Sequence, residues 1–75
     1  MTWTAVESKM FSAVAYEASG ETLYLRFRRG DVYRYFDFPP NDYENFLAAE
    51  SKGRFFLSEI RDCFRYERLA RLQTV

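Results

Sequence analysis

The stretch F-R-R-G-D-V-Y-R-Y-F-D-F-P-P, residues 27–40, decides the architecture. One strand ends in it, a tight turn carrying Gly30 follows, and a second strand holds Tyr33 and Tyr35. A three-residue loop Arg28-Arg29-Gly30, with Gly30 left-handed, is a common hairpin connection. It pairs Leu25 with Tyr33 and Leu23 with Tyr35, which places both phenols on the core side. A two-residue loop would reverse that, because a slip of one residue swaps every side chain to the other face. The odd loop is preferred, since the alternative sets Arg34 against the leucines.

The flanking sequence extends this hairpin in both directions. Residues 21–28 alternate cleanly, with Leu23, Leu25 and Phe27 on one face and Tyr24, Arg26 and Arg28 on the other, as a half-buried strand does. Residues 11–18 alternate more weakly and read as an earlier strand, with Val14 and Tyr16 facing one way. Ser19-Gly20 is the turn between them. Before that, Trp3 and Val6 are candidates to pack against the sheet edge.

Downstream, Pro39 holds Phe38 extended, and Pro40 suits the first turn of a helix, where its missing N–H costs little. Asp42 and Glu44 complement that helix start. Tyr43, Phe46 and Leu47 form its apolar stripe, and Gly53 ends this helix or starts the next element. The spacing Phe56, Ile60, Phe64 predicts a second helix over 54–64. The expected fold is α+β: a three-stranded antiparallel meander followed by two helices on one face, β-β-β-α-α. One domain spans 1–75, with its core over about 6–66. The tail, 67–75, either extends the helix or frays.

Bulk properties narrow the function. The net charge is zero and the pI about 6.2, against a strongly basic nucleic-acid binder. One aromatic residue in five is a high proportion for 75 residues, and large rings are one way for so small a core to become stable. With one cysteine and no histidine, neither an internal disulfide nor a Cys/His zinc site is expected. The first ten residues lack the basic start and apolar run of a secretory signal. No apolar stretch approaches the ~20 residues that cross a bilayer. The expectation is a cytoplasmic protein with no membrane association.

No reaction is specified. Nucleophilic catalysis usually pairs Ser or Cys with His, which is absent. Cys63 reads as an inert thiol. No phosphate-cradling or dinucleotide glycine motif occurs. The expectation is no enzyme, no cofactor and no metal. Binding has two candidate surfaces. On the outer sheet face, Arg26, Arg28 and Arg34 interleave with Tyr24 and Phe36, either to stack bases and meet phosphates or simply to form a soluble face. The second surface is S-K-G-R with Arg61. Lys52 and Arg54 flank a helix start able to hold a phosphate, unless Ser51 or Gly53 only caps it. Buried phenols need hydrogen-bond partners; for the tyrosine pair these are sought at helix ends or at Ser8 or Ser12.

The strings V-Y-R-Y-F-D-F-P, A-E-S-K-G-R-F-F and E-I-R resemble the KTSC domain family over residues 6–66. That family is named for the C-terminus of some lysyl-tRNA synthetases and also occurs as small stand-alone bacterial proteins. Its central Tyr-x-Tyr corresponds to Tyr33 and Tyr35. Together with Gly30, Ser51 and Gly53, these read as structural. Ser8-Lys9-Met10 departs from a Ser-Ser-Asn-like opening, and Ala15 and Phe64 stand where Gly and Tyr are commoner. The resemblance implies RNA as a partner, by analogy with the synthetase fusion. The expectation is therefore a module binding RNA or another phosphate-bearing ligand through Lys52, Arg54 and Arg61, with Arg26 and Arg34 as a second contact set. The rival is a protein-interaction or self-associating module using exposed aromatics or a sheet edge.

Overall fold

A computed structural model describes residues 2–70. The elements run β1 (Thr4–Ala5), β2 (Phe11–Glu17), β3 (Thr22–Phe27), β4 (Val32–Tyr35), α1 (Pro40–Ala48), α2 (Lys52–Phe55) and β5 (Tyr66–Ala70). A π-helical turn, Phe56–Ile60, continues α2 without a break. Among the described residues the strands form one antiparallel sheet in the order β1-β2-β3-β4-β5. The class is α+β, as expected, but the sheet has two more strands than the expected meander. Both additions are edges. β1 is only two residues long, and every residue of β5 is exposed, so neither carries a buried apolar alternation. The tail expected to continue the helix or fray is instead strand through Ala70; residues 71–75 lie outside those described.

The hairpin at the centre is as the sequence dictates. Leu25 faces Tyr33 and Leu23 faces Tyr35. Phe27 N–H donates to Asp31 O at 2.8 Å, and Gly30 N–H to Phe27 O at 2.9 Å, so the loop is Arg28-Arg29-Gly30. Gly30 has φ 106°, a conformation that side-chain-bearing residues rarely adopt. In β2 the register shifts between Phe11 and Ala13. This bulge lets both Phe11 and Val14 face the core and accounts for the weak alternation of that strand.

The core comprises Phe11, Val14, Leu23, Leu25, Tyr35, Phe38, Phe46, Phe56 and Ile60. Helix α1 buries Phe46, while Tyr43 stacks on Tyr16 at 4.5 Å. Leu47, expected in the apolar stripe, is 39% exposed. Pro40 is the first residue of α1, and Asp42 lies in its first turn. The second helix contributes Phe56 and Ile60 but stops there; Phe64 packs edge-on against Phe38 from the turn beyond it. Gly53 lies within α2, not at the end of α1. Each fully buried Phe or Leu side chain stabilises the fold by roughly 1.5–3 kcal/mol.

The other sheet face carries a smaller cluster. The Trp3 ring meets Tyr24 edge-on, and the Arg26 guanidinium lies 4.5 Å from the Trp3 ring centre. Beneath them Ala13 and Ala15, on the same side of β2, are nearly inaccessible. Trp3 thus covers the sheet's back rather than its edge, whereas Val6 packs against the main core.

Candidate functional site

Between the helix-covered side of the sheet and α2 runs a seam of three clefts that share lining residues. The first, about 720 Å³, lies between the segment Glu7–Met10 and the start of α2. Local hydrogen bonds shape its wall. Ser8 Oγ accepts from the N–H groups of Met10 (3.1 Å) and Phe11 (3.2 Å), and Arg28 Nε donates to Ser8 O. Met10 also closes on the helix: a Cβ on Gly53 would lie 3.5 Å from its Cε. The second cleft, about 490 Å³, shares Lys9, Met10, Arg28 and Leu57 with the first and adds Arg29 and Arg61. The third, about 320 Å³, shares Phe27, Arg29, Phe56 and Arg61 with the second and ends on Tyr33, Tyr35 and Tyr66.

Lys52, Arg54 and Arg61 therefore lie along one seam. Lys52 and Arg54 line the first cleft, and Arg61 stands where the second and third meet. The S-K-G-R turn is also a cap. Ser51 Oγ accepts from Arg54 N–H at 3.2 Å, so that donor is not offered outward. Lys52 Nζ donates to the carbonyl of Leu47 in α1 (3.1 Å) and to that of Ala49, the residue that ends the helix (3.4 Å). It joins the two helices as well as charging the cleft.

Arg26 and Arg34 belong elsewhere. Both project from the opposite face of the sheet, Arg26 over Trp3 and Arg34 toward Glu67, with Arg34 Nε donating to Glu67 Oε1 at 2.8 Å. Arg34 also lies over Phe36, which Arg65 approaches too. The two expected contact sets do not form one surface. Arg28, expected beside them, lies past the strand's end and lines the first two clefts instead. Sequence reasoning missed Lys9, Arg28 and Arg29 as seam cations. The available signal was their place in connections, Lys9 between β1 and β2 and the two arginines at a hairpin tip, where strand alternation no longer assigns a face.

The tyrosine pair does face the core. Tyr35 is 3% exposed and Tyr33 half-buried. Their rings are near-parallel with centres 6.4 Å apart. Tyr66, opposite Tyr35 on β5, completes a triangle, its centre 5.7 Å from each of the others. Burial pushes the Tyr35 hydroxyl well above the usual phenol range, with Tyr33 and Tyr66 adding and Arg61 opposing. The serines sought as partners are engaged elsewhere: Ser8 as above, and Ser12 Oγ donates to Arg26 O at 3.4 Å. Cys63 is exposed beyond the π turn. Among the described residues, no three or more His, Cys, Asp or Glu gather as metal ligands would. No described helix is long and apolar enough to cross a membrane. The seam thus sets six cations and three carboxylates side by side and ends in aromatic surface.

Comparison with known proteins agrees with this fold. The KTSC domain family profile matches residues 7–66. A protein from Tsukamurella paurometabola is 40% identical over 60 residues, covering 80% of this chain and 90% of that one. A lysine–tRNA ligase from Nostoc punctiforme is 36% identical over 64 residues, 85% of this chain. The matched part is 11% of the ligase's length. The crystal structure of a KTSC domain protein from Yersinia pestis superposes with a TM-score of 0.89 at 29% identity, covering 92% of this chain and 97% of that one.

Proposed function

The chain belongs to the KTSC domain family, and we propose that it binds single-stranded RNA weakly through the seam between sheet and α2. One observation carries this reading. The three clefts share residues, so that Lys9, Arg28, Arg29, Lys52, Arg54 and Arg61 lie along a single path. Glu7, Glu50 and Asp62 also line the path, and Arg29 Nε donates to Asp31 Oδ2 at 2.6 Å, so its positive potential is modest. A charged groove with aromatic surface is the usual design of single-strand binders, which follow the backbone electrostatically and stack bases. The similarity of the matched segment to part of a lysine–tRNA ligase is consistent with RNA as the ligand.

A salt titration tests the reading. Binding of a labelled mixed-sequence 12-mer RNA should weaken as salt rises, with a log–log slope of about −0.7 for each phosphate neutralised. Arg54→Ala with Arg61→Ala should flatten that slope, and Arg26→Ala should leave it unchanged. Absence of binding at low salt, or indifference to the double substitution, would remove RNA as the ligand.

A second reading has one observation behind it. On the edge strand β5, Tyr66 and Leu69 are 56% and 45% exposed. An exposed edge with apolar side chains can pair with another chain. Sedimentation over a range of concentrations separates this from RNA binding, since self-association requires no nucleic acid.

A further inference from the structure

The tyrosine end of the seam differs from the rest of it. The other two clefts are lined by cations and mixed side chains, whereas this one has five aromatic rings: Phe27, Tyr33, Tyr35, Phe56 and Tyr66. Its volume, about 320 Å³, is at the lower limit for ligand pockets and suits one planar ring system rather than a longer ligand. Tyr66 is the informative member. It leans on Tyr33 and Tyr35, yet more than half of it remains exposed. A large ring braced by neighbours and left uncovered offers surface on which a planar group can stack.

The π turn sets a cation beside this ring. Arg61 N–H bonds to Phe56 O at 2.8 Å, a step of five residues. The wider turn keeps Ile60 in the core and sets Arg61 on the rim of the cavity that Phe56 floors. π turns recur at functional sites because the extra residue redirects side chains. The neighbouring Asp62 carboxylate is 3.7 Å from Arg61, and both side chains are well exposed. Such a pair is weak and screened by solvent. Arg61 also lines the middle cleft, so a phosphate held there would lie on the cationic path.

We propose that this cleft is a nucleotide subsite: a nucleobase stacks on Tyr66 within the tyrosine triangle while its phosphate meets Arg61. This rests on the RNA-binding reading for its place in the strand, but it is testable without RNA. The probe is adenosine monophosphate, followed through the aromatic proton resonances of the full chain, with ribose 5-phosphate as the base-free control. Adenosine monophosphate should shift the Tyr33, Tyr35 and Tyr66 ring signals upfield, and ribose 5-phosphate should not. Tyr66→Ala should weaken binding about tenfold or more, as loss of a stacking ring does, whereas Tyr66→Phe should retain it. Tyr66 is exposed, so neither change should unfold the chain, and the unperturbed Trp3 signals verify this. Equal shifts with both probes, or no loss in Tyr66→Ala, would overturn the subsite. If the 12-mer RNA fails to bind while the mononucleotide shifts the tyrosines, the RNA reading falls and the subsite stands. If the RNA binds but adenosine monophosphate leaves the rings unmoved, the reverse holds.

Discussion

The Phe38 amide donates to the carbonyl of Glu21 at 2.8 Å, joining the turn before β3 to the chain that leaves β4. Tyr16 clamps the same residue from the other side, its hydroxyl donating to Phe38 O at 2.5 Å. Phe38 is thus held at both backbone groups while its ring is fully buried. Both flanking turns reach it through left-handed residues, Glu21 at φ 47° and Asp37 at φ 56°. Neither is glycine, so each carries strain.

Relieving that strain should stabilise the fold. Glu21→Gly is expected to raise the unfolding free energy by about 0.5–1 kcal/mol, because the strain removed is about 1–2 kcal/mol and glycine's extra chain entropy offsets part of it. Glu21→Val should lower it, because a β-branched residue tolerates positive φ less well than glutamate does. Urea unfolding measures both. An unchanged midpoint in the two variants would show that the turn is not strained.

Gly30 provides the opposite case. A branched side chain at φ 106° should cost about 1–2 kcal/mol or more, so Gly30→Val should lower the urea midpoint. A variant as stable as the parent would contradict the three-residue loop that sets the register of Tyr33 and Tyr35.

Ser51 caps α2 through its hydroxyl. Ser51→Ala should therefore cost about 1 kcal/mol, and Ser51→Asp should restore most of it. Thermal melts of the two variants distinguish capping from a purely ligand-binding serine, which would leave stability unaltered. Lys52→Ala needs the same control, since its ammonium group ties the carbonyls at the end of α1 to α2.

Alkaline pH should act through the phenols. Burial raises the pKa of Tyr35 foremost, and also those of Tyr16 and Tyr43. A pKa raised on folding means that the native state holds the proton more tightly than the unfolded chain. The contribution is complete below the unfolded phenol pKa of about 10 and is lost as pH climbs toward the native values. Stability should fall above about pH 10, and Tyr35→Phe should make that fall shallower. Phenolate absorbance and denaturation at several pH values check this; an identical pH dependence in Tyr35→Phe would exclude Tyr35 as its source.

The central hairpin was legible because Gly30 and the Leu23-Leu25 alternation agree on one register. The bulge in β2 was visible only as weakened alternation. β5 escaped because Y-E-R-L-A places apolar and charged residues on both of its faces and buries none of them. Capping by Ser51 was one of the two readings of S-K-G-R, and the structure realises it. The partners of Arg26 and Arg34 were out of reach. Trp3 and Glu67 come from the two edges of the sheet, and only its assembly brings them to those guanidinium groups. The seam itself combines the β1–β2 connection, a hairpin tip and a helix start, which no local pattern relates.

Both helices lie in the connection between β4 and its neighbour β5. Closing so long a loop is entropically slower than forming the adjacent hairpins, so β5 should add last and fray first. Amide exchange would then be fastest at Tyr66–Ala70 and slowest along β2 and β3. Because Tyr66 forms one side of the tyrosine cavity, a bound guest would fasten this final strand to the sheet, and occupancy would register as slowed exchange at the far edge of the protein.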